Sequence, residues 1–189
     1  PEKIKCEFLG LDESGETILN LFDKHNQDME SLIGISTTKA TFQKYSVTRK
    51  HLANFIKKKY NVSDIALKSI NYMFIHDFEI YMVSHAKVSH NTMSKFMGFV
   101  KKIINIAIKS DLINHNPFAN YKIQFEKVDR GYLTEQELNQ LIKKKFLIKR
   151  LEQVRDIFVF SCFTGLAYID VKELSKDHIR ISFDGNTWI

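Results

Sequence analysis

Thr164-Gly165-Leu166-Ala167-Tyr168-Ile169-Asp170-Val171 is the stretch on which the reading of this chain turns. A nearly unbroken apolar run, Ile157-Phe158-Val159-Phe160-Ser161-Cys162-Phe163, leads straight into it. An apolar run with no polar face predicts a helix buried on all sides. Gly165 stands where helices commonly close in the left-handed conformation, and a second short helix is expected to follow with Asp170 in its first turn. Cys162, inside the run, reads as a buried core thiol. Cys6 is remote from it in sequence, so the two cysteines make no metal or redox spacing and suit a reducing compartment.

Downstream, Ile179, Ile181 and Phe183 alternate with Arg180 and Ser182 as a half-buried strand would. Asp184-Gly185-Asn186 then reads as a turn into a return strand, Thr187-Trp188-Ile189. Upstream, Leu133-Thr134-Glu135-Gln136-Glu137-Leu138 carries a capping box, Thr134 with Glu137, flanked by a Leu133–Leu138 staple. That signature marks the start of a helix and of a new folding unit. Before it, Lys122–Val128 alternates polar and apolar residues and is expected to be extended.

The region ahead of that segment reads as four amphipathic helices with short connections, a small bundle. Ser14 is expected to cap the first, with Ile18, Leu21, Phe22, His25, Met29, Leu32 and Ile33 inward and Gly34 ending it. The second spans about Lys39–Lys59 on Phe42, Tyr45, Leu52, Phe55 and Ile56. Asn71 caps the third, with Phe74, Ile75, Phe78, Tyr81 and Met82 inward. Ser89 caps the fourth, whose stripe runs Met93, Phe96, Met97, Val100, Ile103, Ile104, Ala107 and Ile108. Asn116-Pro117 ends it, because the residue before proline avoids the helical region. Pro1–Glu13, anchored only by Ile4, Phe8, Leu9 and Leu11, reads as the tail of an upstream region. The chain, which lacks an initial Met, reads as a piece of a longer protein.

Composition limits the function classes. With 189 residues, 44% hydrophobic, fifteen Phe, seven Gly and two Pro, the chain is suited to a compact helical core. No apolar run is long enough to span a bilayer and no signal-peptide pattern opens the chain, so a cytoplasmic location without membrane partners is expected. The net charge of +6 is unevenly spread. Residues 1–30 hold eight acids and three Lys, whereas Ser31–Ser63 holds seven Lys or Arg and no acid. Ile80–Ser110 holds five Lys and Leu138–Leu151 five basic residues, again with no acid. Ordinary surfaces intersperse both signs, so three acid-free basic blocks point to a polyanion, with nucleic acid first.

Taken in order, a four-helix module, an extended segment, a Leu-Thr-x-x-Glu-Leu start, an apolar helix, the Thr-Gly-Leu box and a β-hairpin resemble the tyrosine site-specific recombinases. These are the phage-integrase-like enzymes, including integrases of bacterial conjugative and mobile elements. The resemblance covers nearly all of Ser14–Ile189. It implies a mainly α chain: a SAM-like core-binding bundle over residues 14–120, a linker over 121–131, and over 132–189 the first helices and first hairpin of an α+β catalytic domain. It implies double-stranded DNA as partner, other recombinase protomers assembled as a tetramer on that DNA, no cofactor and no metal. In the bacterial cell such a protein is nucleoid-associated when on DNA.

In that family a Tyr hydroxyl attacks a phosphodiester to give a 3′-phosphotyrosine link, which a 5′-hydroxyl later reverses. The chemistry needs cations fixed where charge grows on the phosphate, an acid for the leaving oxygen and an in-line nucleophile. The family supplies these from two Arg, a hairpin Lys, a His and a late Tyr. Ala167 stands at the place of the first Arg and cannot serve, and the remaining groups are expected beyond Ile189. This chain by itself is therefore expected to be inactive. Thr164, Gly165 and Asp170 are assigned to the architecture of the box, with Asp170 holding it near a helix N-terminus.

For DNA, the resemblance points to the starts of the second and fourth helices. The matching positions are Thr38, Lys39, Thr41 and Lys44, then His90, Asn91, Thr92 and Lys95, with His90 or Asn91 suited to base edges. Short polar side chains at helix N-termini suit phosphate, and they equally suit simple capping. Lys57-Lys58-Lys59 is assigned to solvent, Tyr168 to the core, and His76 with Glu79 to a solvated helix face rather than to a metal. Lys172 points away from Ala167 along its helix. A DNA strand-exchange enzyme is the first expectation, and a non-catalytic DNA-binding regulatory or architectural protein of the same fold is the alternative.

Overall fold

A computed structural model describes residues 15–188. Ser14, the apolar anchors of Pro1–Glu13, Cys6 and Ile189 lie outside the described residues. The chain divides into two compact units, the first ending at Lys127 and the second beginning at Val128.

The first unit is built from α1 (Ile18–Ser31), α2 (Lys39–Tyr60), α3 (Tyr72–Ser84) and α4 (His90–Lys109), with a single 3-10 turn at Leu67–Ser69. Each helix lies where its apolar spacing places it. The core takes Ile18, Leu21, Phe22 and Met29 from α1 and Tyr45, Leu52, Phe55 and Ile56 from α2. It takes Phe74, Ile75, Phe78 and Met82 from α3, and Met93, Met97, Val100, Ile103, Ile104 and Ala107 from α4. Phe55 is the hub: its ring meets those of Phe74 and Phe78 at 5.3 Å and Tyr81 at 5.5 Å. Removing such a ring from a filled core costs about 3–5 kcal/mol.

Two helix boundaries differ from the sequence expectation. Thr17 occupies the N-cap position of α1, and the helix stops at Ser31, so Leu32 and Ile33 leave the buried stripe and stand 40% and 37% exposed. The cause is local: the Ser31 hydroxyl donates to Asp28 O at 2.8 Å, and the N–H groups of Ile35, Ser36 and Thr37 all converge on Leu32 O. Ser89 takes the N-cap place of α4, but its hydroxyl meets the Thr92 hydroxyl at 2.9 Å instead of a backbone N–H. Asn71 caps α3 as expected, accepting from Phe74 N–H at 3.0 Å.

After α4, Asn116 accepts from Phe118 N–H at 2.9 Å, turning the chain so that Phe118 is buried. The segment that follows forms neither helix nor strand up to Thr134, and Tyr121 and Ile123 pack on the core. Burial and a hydrogen bond to Glu79 push the Tyr121 hydroxyl far above its ordinary value.

The second unit holds α5 (Glu135–Lys143), α6 (Lys149–Thr164), α7 (Tyr168–Glu173), a 3-10 turn at Lys176–His178, and the antiparallel pair β1 (Arg180–Ile181) and β2 (Thr187–Trp188). The capping box forms: Glu137 accepts from Thr134 N–H at 2.8 Å, and Thr134 Oγ1 accepts from Glu137 N–H at 3.3 Å. The Thr134 N–H bond first, and then a bond donated by the Thr134 hydroxyl to Glu137 Oε2 at 2.9 Å, hold the Glu137 carboxyl below its ordinary range.

The apolar helix corrects an expectation. None of the α6 residues is buried; Ile157 is 42%, Phe158 44% and Phe163 71% exposed, and Cys162 is an exposed free thiol. Tyr168, expected in the core, is 70% exposed. The physical reason is the lack of a covering layer: the short helices α5 and α7 pack on α6, and two short helices cannot enclose a four-turn one.

Candidate nucleic-acid interface

Helices α2 and α4 cross in opposite directions. Tyr45, early in α2, meets the Phe99 ring at 4.4 Å and lies under Lys102 Nζ at 5.3 Å, whereas His51, later in α2, meets the earlier Phe96 at 5.3 Å. The start of α2 therefore lies beside the later turns of α4. The eight residues expected at the two helix starts fall into two clusters at opposite ends of the helix pair.

Lys44, His51 and Lys58 recur every seven residues along α2, and Lys95, Lys102 and Lys109 do so along α4. Seven residues are about two helical turns, so each row keeps one face. The ring contacts place both rows along the same seam, with Tyr45, Phe96 and Phe99 at its base. All five lysines are exposed. His51 is held below its ordinary pKa by burial and then by Lys50, so it lines the seam as a neutral ring at pH 7.

Two of the twelve cations in the acid-free blocks of this unit are neutralised by acids from outside those blocks. Arg49 donates from Nε and Nη2 to Asp23 at 2.9 and 2.7 Å, and Lys59 pairs with Asp77. None of the five seam lysines has an acid partner among the described residues. Lys58, assigned to solvent from the sequence, is exposed; it shares the helix face of His51 and also lines a groove with Asp77, Ile80, Tyr81 and His85 of α3. Lys50 and Lys57, also seven apart, follow a different flank of α2.

The side chains at the helix starts are largely engaged within the unit. Thr38 Oγ1 accepts from Thr41 N–H at 3.2 Å and meets Thr41 Oγ1 at 2.9 Å, while Lys39 and Lys44 are exposed. At the start of α4, His90 Nε2 lies 3.1 Å from Gln124 O. The Asn91 amide makes a two-way pair with the backbone of Glu126, donating to its carbonyl at 3.0 Å and accepting from its N–H at 2.8 Å. Ser94, buried and not singled out by sequence, also donates to Gln124 O. His90 and Asn91 thus hold the chain's own backbone rather than presenting free groups. The Thr92 hydroxyl meets that of Ser89 at 2.9 Å, and Lys95 is exposed.

Nearby on α1, the His25 ring packs edge-on against Tyr45 at 5.0 Å, and its buried Nε2 has no hydrogen-bond partner among the described residues. Burial first, and then the Lys102 charge, lower its pKa. His76 and Glu79 stand 3.9 Å apart, and among the described residues no three His, Cys, Asp or Glu side chains gather to hold a metal. No helix among them is long and apolar enough to cross a membrane.

In the second unit, Gly165 closes α6 at φ +72°, a conformation open to glycine without strain. Thr164 Oγ1 donates to Phe160 O at 2.8 Å and accepts from Leu166 N–H at 3.3 Å. Asp170 accepts from Ala167 N–H at 3.2 Å, closing the first turn of α7. Ala167 fills the N-cap position with a methyl group and brings no cation to the turn.

This architecture has known counterparts. Structures of the Tn1549 transposon integrase in complex with circular intermediate DNA superpose on the chain. With the CI6b DNA the TM-score is 0.67 at 15% identity, covering 87% of this chain and 50% of that one. With the CI5 DNA it is 0.65 at 16% identity, covering 88% and 52%. The chain spans about half the length of those integrases, and at such identity the likeness is one of fold. No protein of curated function matches it. The phage integrase SAM-like domain model matches residues 17–123, more than half of the chain and the whole four-helix bundle, and the chain belongs to that family.

Proposed function

We propose that this chain binds double-stranded DNA through the α2–α4 seam, as the DNA-holding part of a tyrosine recombinase that integrates a mobile element. The observation that supports the reading is the pair of rows Lys44–Lys58 and Lys95–Lys102–Lys109, exposed and without acid partners among the described residues, on two helices that meet through Tyr45, Phe96 and Phe99. Thr38, Lys39, Thr41 and Thr92 extend the contact to the ends of the seam through hydroxyls and charge. Residues 121–131 serve as the connection to the catalytic part, in which Thr164, Gly165 and Asp170 shape the turn that bears Ala167. Further protomers join on the DNA. Strand cleavage and rejoining through phosphotyrosine belong to the longer parent protein, whose nucleophile the resemblance places outside these 189 residues.

A second reading, a DNA-binding protein that kept the fold without the reaction, is favoured by one observation. Ala167, a methyl group, stands at the place that the resemblance gives to the family's first Arg.

The seam is tested by the salt dependence of duplex binding. If five lysines each neutralise one phosphate, log affinity falls against log salt with a slope of roughly −4.5. Lys95→Ala and Lys102→Ala each flatten it by roughly 0.9, and Lys57→Ala leaves it nearly unchanged. A slope that responds to Lys57 and ignores Lys95 and Lys102 refutes the seam as the binding face.

A further inference from the structure

The loop between α1 and α2 is short, rigid and oddly apolar. Leu32 O receives the N–H groups of Ile35, Ser36 and Thr37 at 3.1, 3.2 and 3.1 Å, and Gly34 N–H donates to Thr37 O at 2.9 Å. Ile33 and Thr37 form a parallel bridge, Gly34 takes φ +87°, and the Thr37 hydroxyl rests on Met29 Sδ at 3.7 Å. This knot holds Ile35 81% exposed, the most exposed large apolar side chain among the described residues of the first unit. A backbone so fully bonded cannot fold the side chain back onto the core, so its exposure is built in.

The position of the loop names its partner. Ser36, Thr37, Thr38 and Lys39 follow directly, and Lys44 begins the seam within roughly 9 Å of helix rise. No acid lies between Ser31 and Ser63. An apolar protein partner would meet unscreened cations here, whereas DNA offers phosphates to the lysines and one apolar group among its base edges, the C5 methyl of thymine in the major groove.

We propose that Ile35 is a specificity-determining residue that covers a thymine methyl when the seam holds DNA. It rests on the DNA-binding reading above. The lysines supply affinity that is blind to sequence, and Ile35 supplies a preference for T over C, and for T over its demethylated analogue, at one position.

The test compares a short A·T-rich duplex with its counterpart in which every thymine is uracil, using the intact chain and Ile35→Ala. The chain is expected to bind the thymine duplex about four-fold more tightly, the ratio for burying one methyl-sized group. Ile35→Ala is expected to lose that ratio while keeping the salt slope and the thermal midpoint, since an exposed side chain carries little packing. Equal affinity for the two duplexes in the intact chain, or a ratio that survives Ile35→Ala, overturns the proposal while leaving DNA binding standing. Failure to bind either duplex at low salt overturns both.

Discussion

Asn91→Ala separates a residue that holds its own chain from one that reads DNA. The substitution removes both bonds to Glu126, the donated one at 3.0 Å and the accepted one at 2.8 Å, and leaves His90 and Ser94 on Gln124 O. Each neutral hydrogen bond contributes a net of about 0.5–1.5 kcal/mol, and this pair is partly solvated, so about 1–2 kcal/mol of local stability should go. Hydrogen exchange reads that directly: the Glu126 amide should exchange about 5–30 times faster, with the amides of Ile103 and Ile104 in the core of α4 unmoved. Limited proteolysis should agree. In the intact chain the first cuts are expected from Lys127 to Leu133, past the clasp, and in Asn91→Ala they should extend back to Gln124. Unchanged exchange at Glu126 combined with lost duplex affinity would refute the clasp and return Asn91 to the DNA.

Stability should also depend on pH through His25. Its folded pKa lies below the ordinary value near 6.5, so the unfolded chain takes up a proton that the folded one resists. The contribution is therefore intact above pH 6.5 and lost as pH falls from there through the folded pKa; His25→Gln should flatten the fall in urea midpoint over that window, and an unchanged profile would count against it. Incubated with a nicked suicide duplex, the 189-residue chain should form no covalent protein–DNA adduct, and an adduct that survives denaturation would overturn the reading of Ala167 and Tyr168 as non-catalytic.

Local chemistry was legible where a few neighbouring residues decide the outcome. Asn71 and Thr134 begin their helices as their spacing requires, Gly165 ends α6, and the stripe from Met93 to Ala107 faces inward. The misread positions depend on residues far away. An apolar run such as Ile157–Phe163 says that burial would be favourable, not that a covering layer is at hand, so Cys162 and Tyr168 were placed inside and stand outside. The starts of α2 and α4 look alike in sequence, and only their opposed packing puts them at different ends. The seven-residue rows, Lys44–His51–Lys58 and Lys95–Lys102–Lys109, are visible in the sequence of each helix. Their nearness is not, because the two helices are brought together by the Tyr45–Phe99 and His51–Phe96 contacts. The partners of Asn91 lie 35 residues on, beyond any local pattern.

The opposed course of α2 and α4 has an electrical consequence. Each helix carries roughly half a positive charge at its N-terminus and half a negative one at its C-terminus. Where two helices run in opposite senses, the positive pole of one sits beside the negative pole of the other, and the far fields largely cancel. The attraction along this groove then comes from mobile ammonium groups on long, flexible stems. It should fade within a Debye length, about 8 Å at physiological ionic strength. On the DNA-binding reading, such a surface would exert little long-range torque on an approaching duplex, and orientation would be left to short-range contacts.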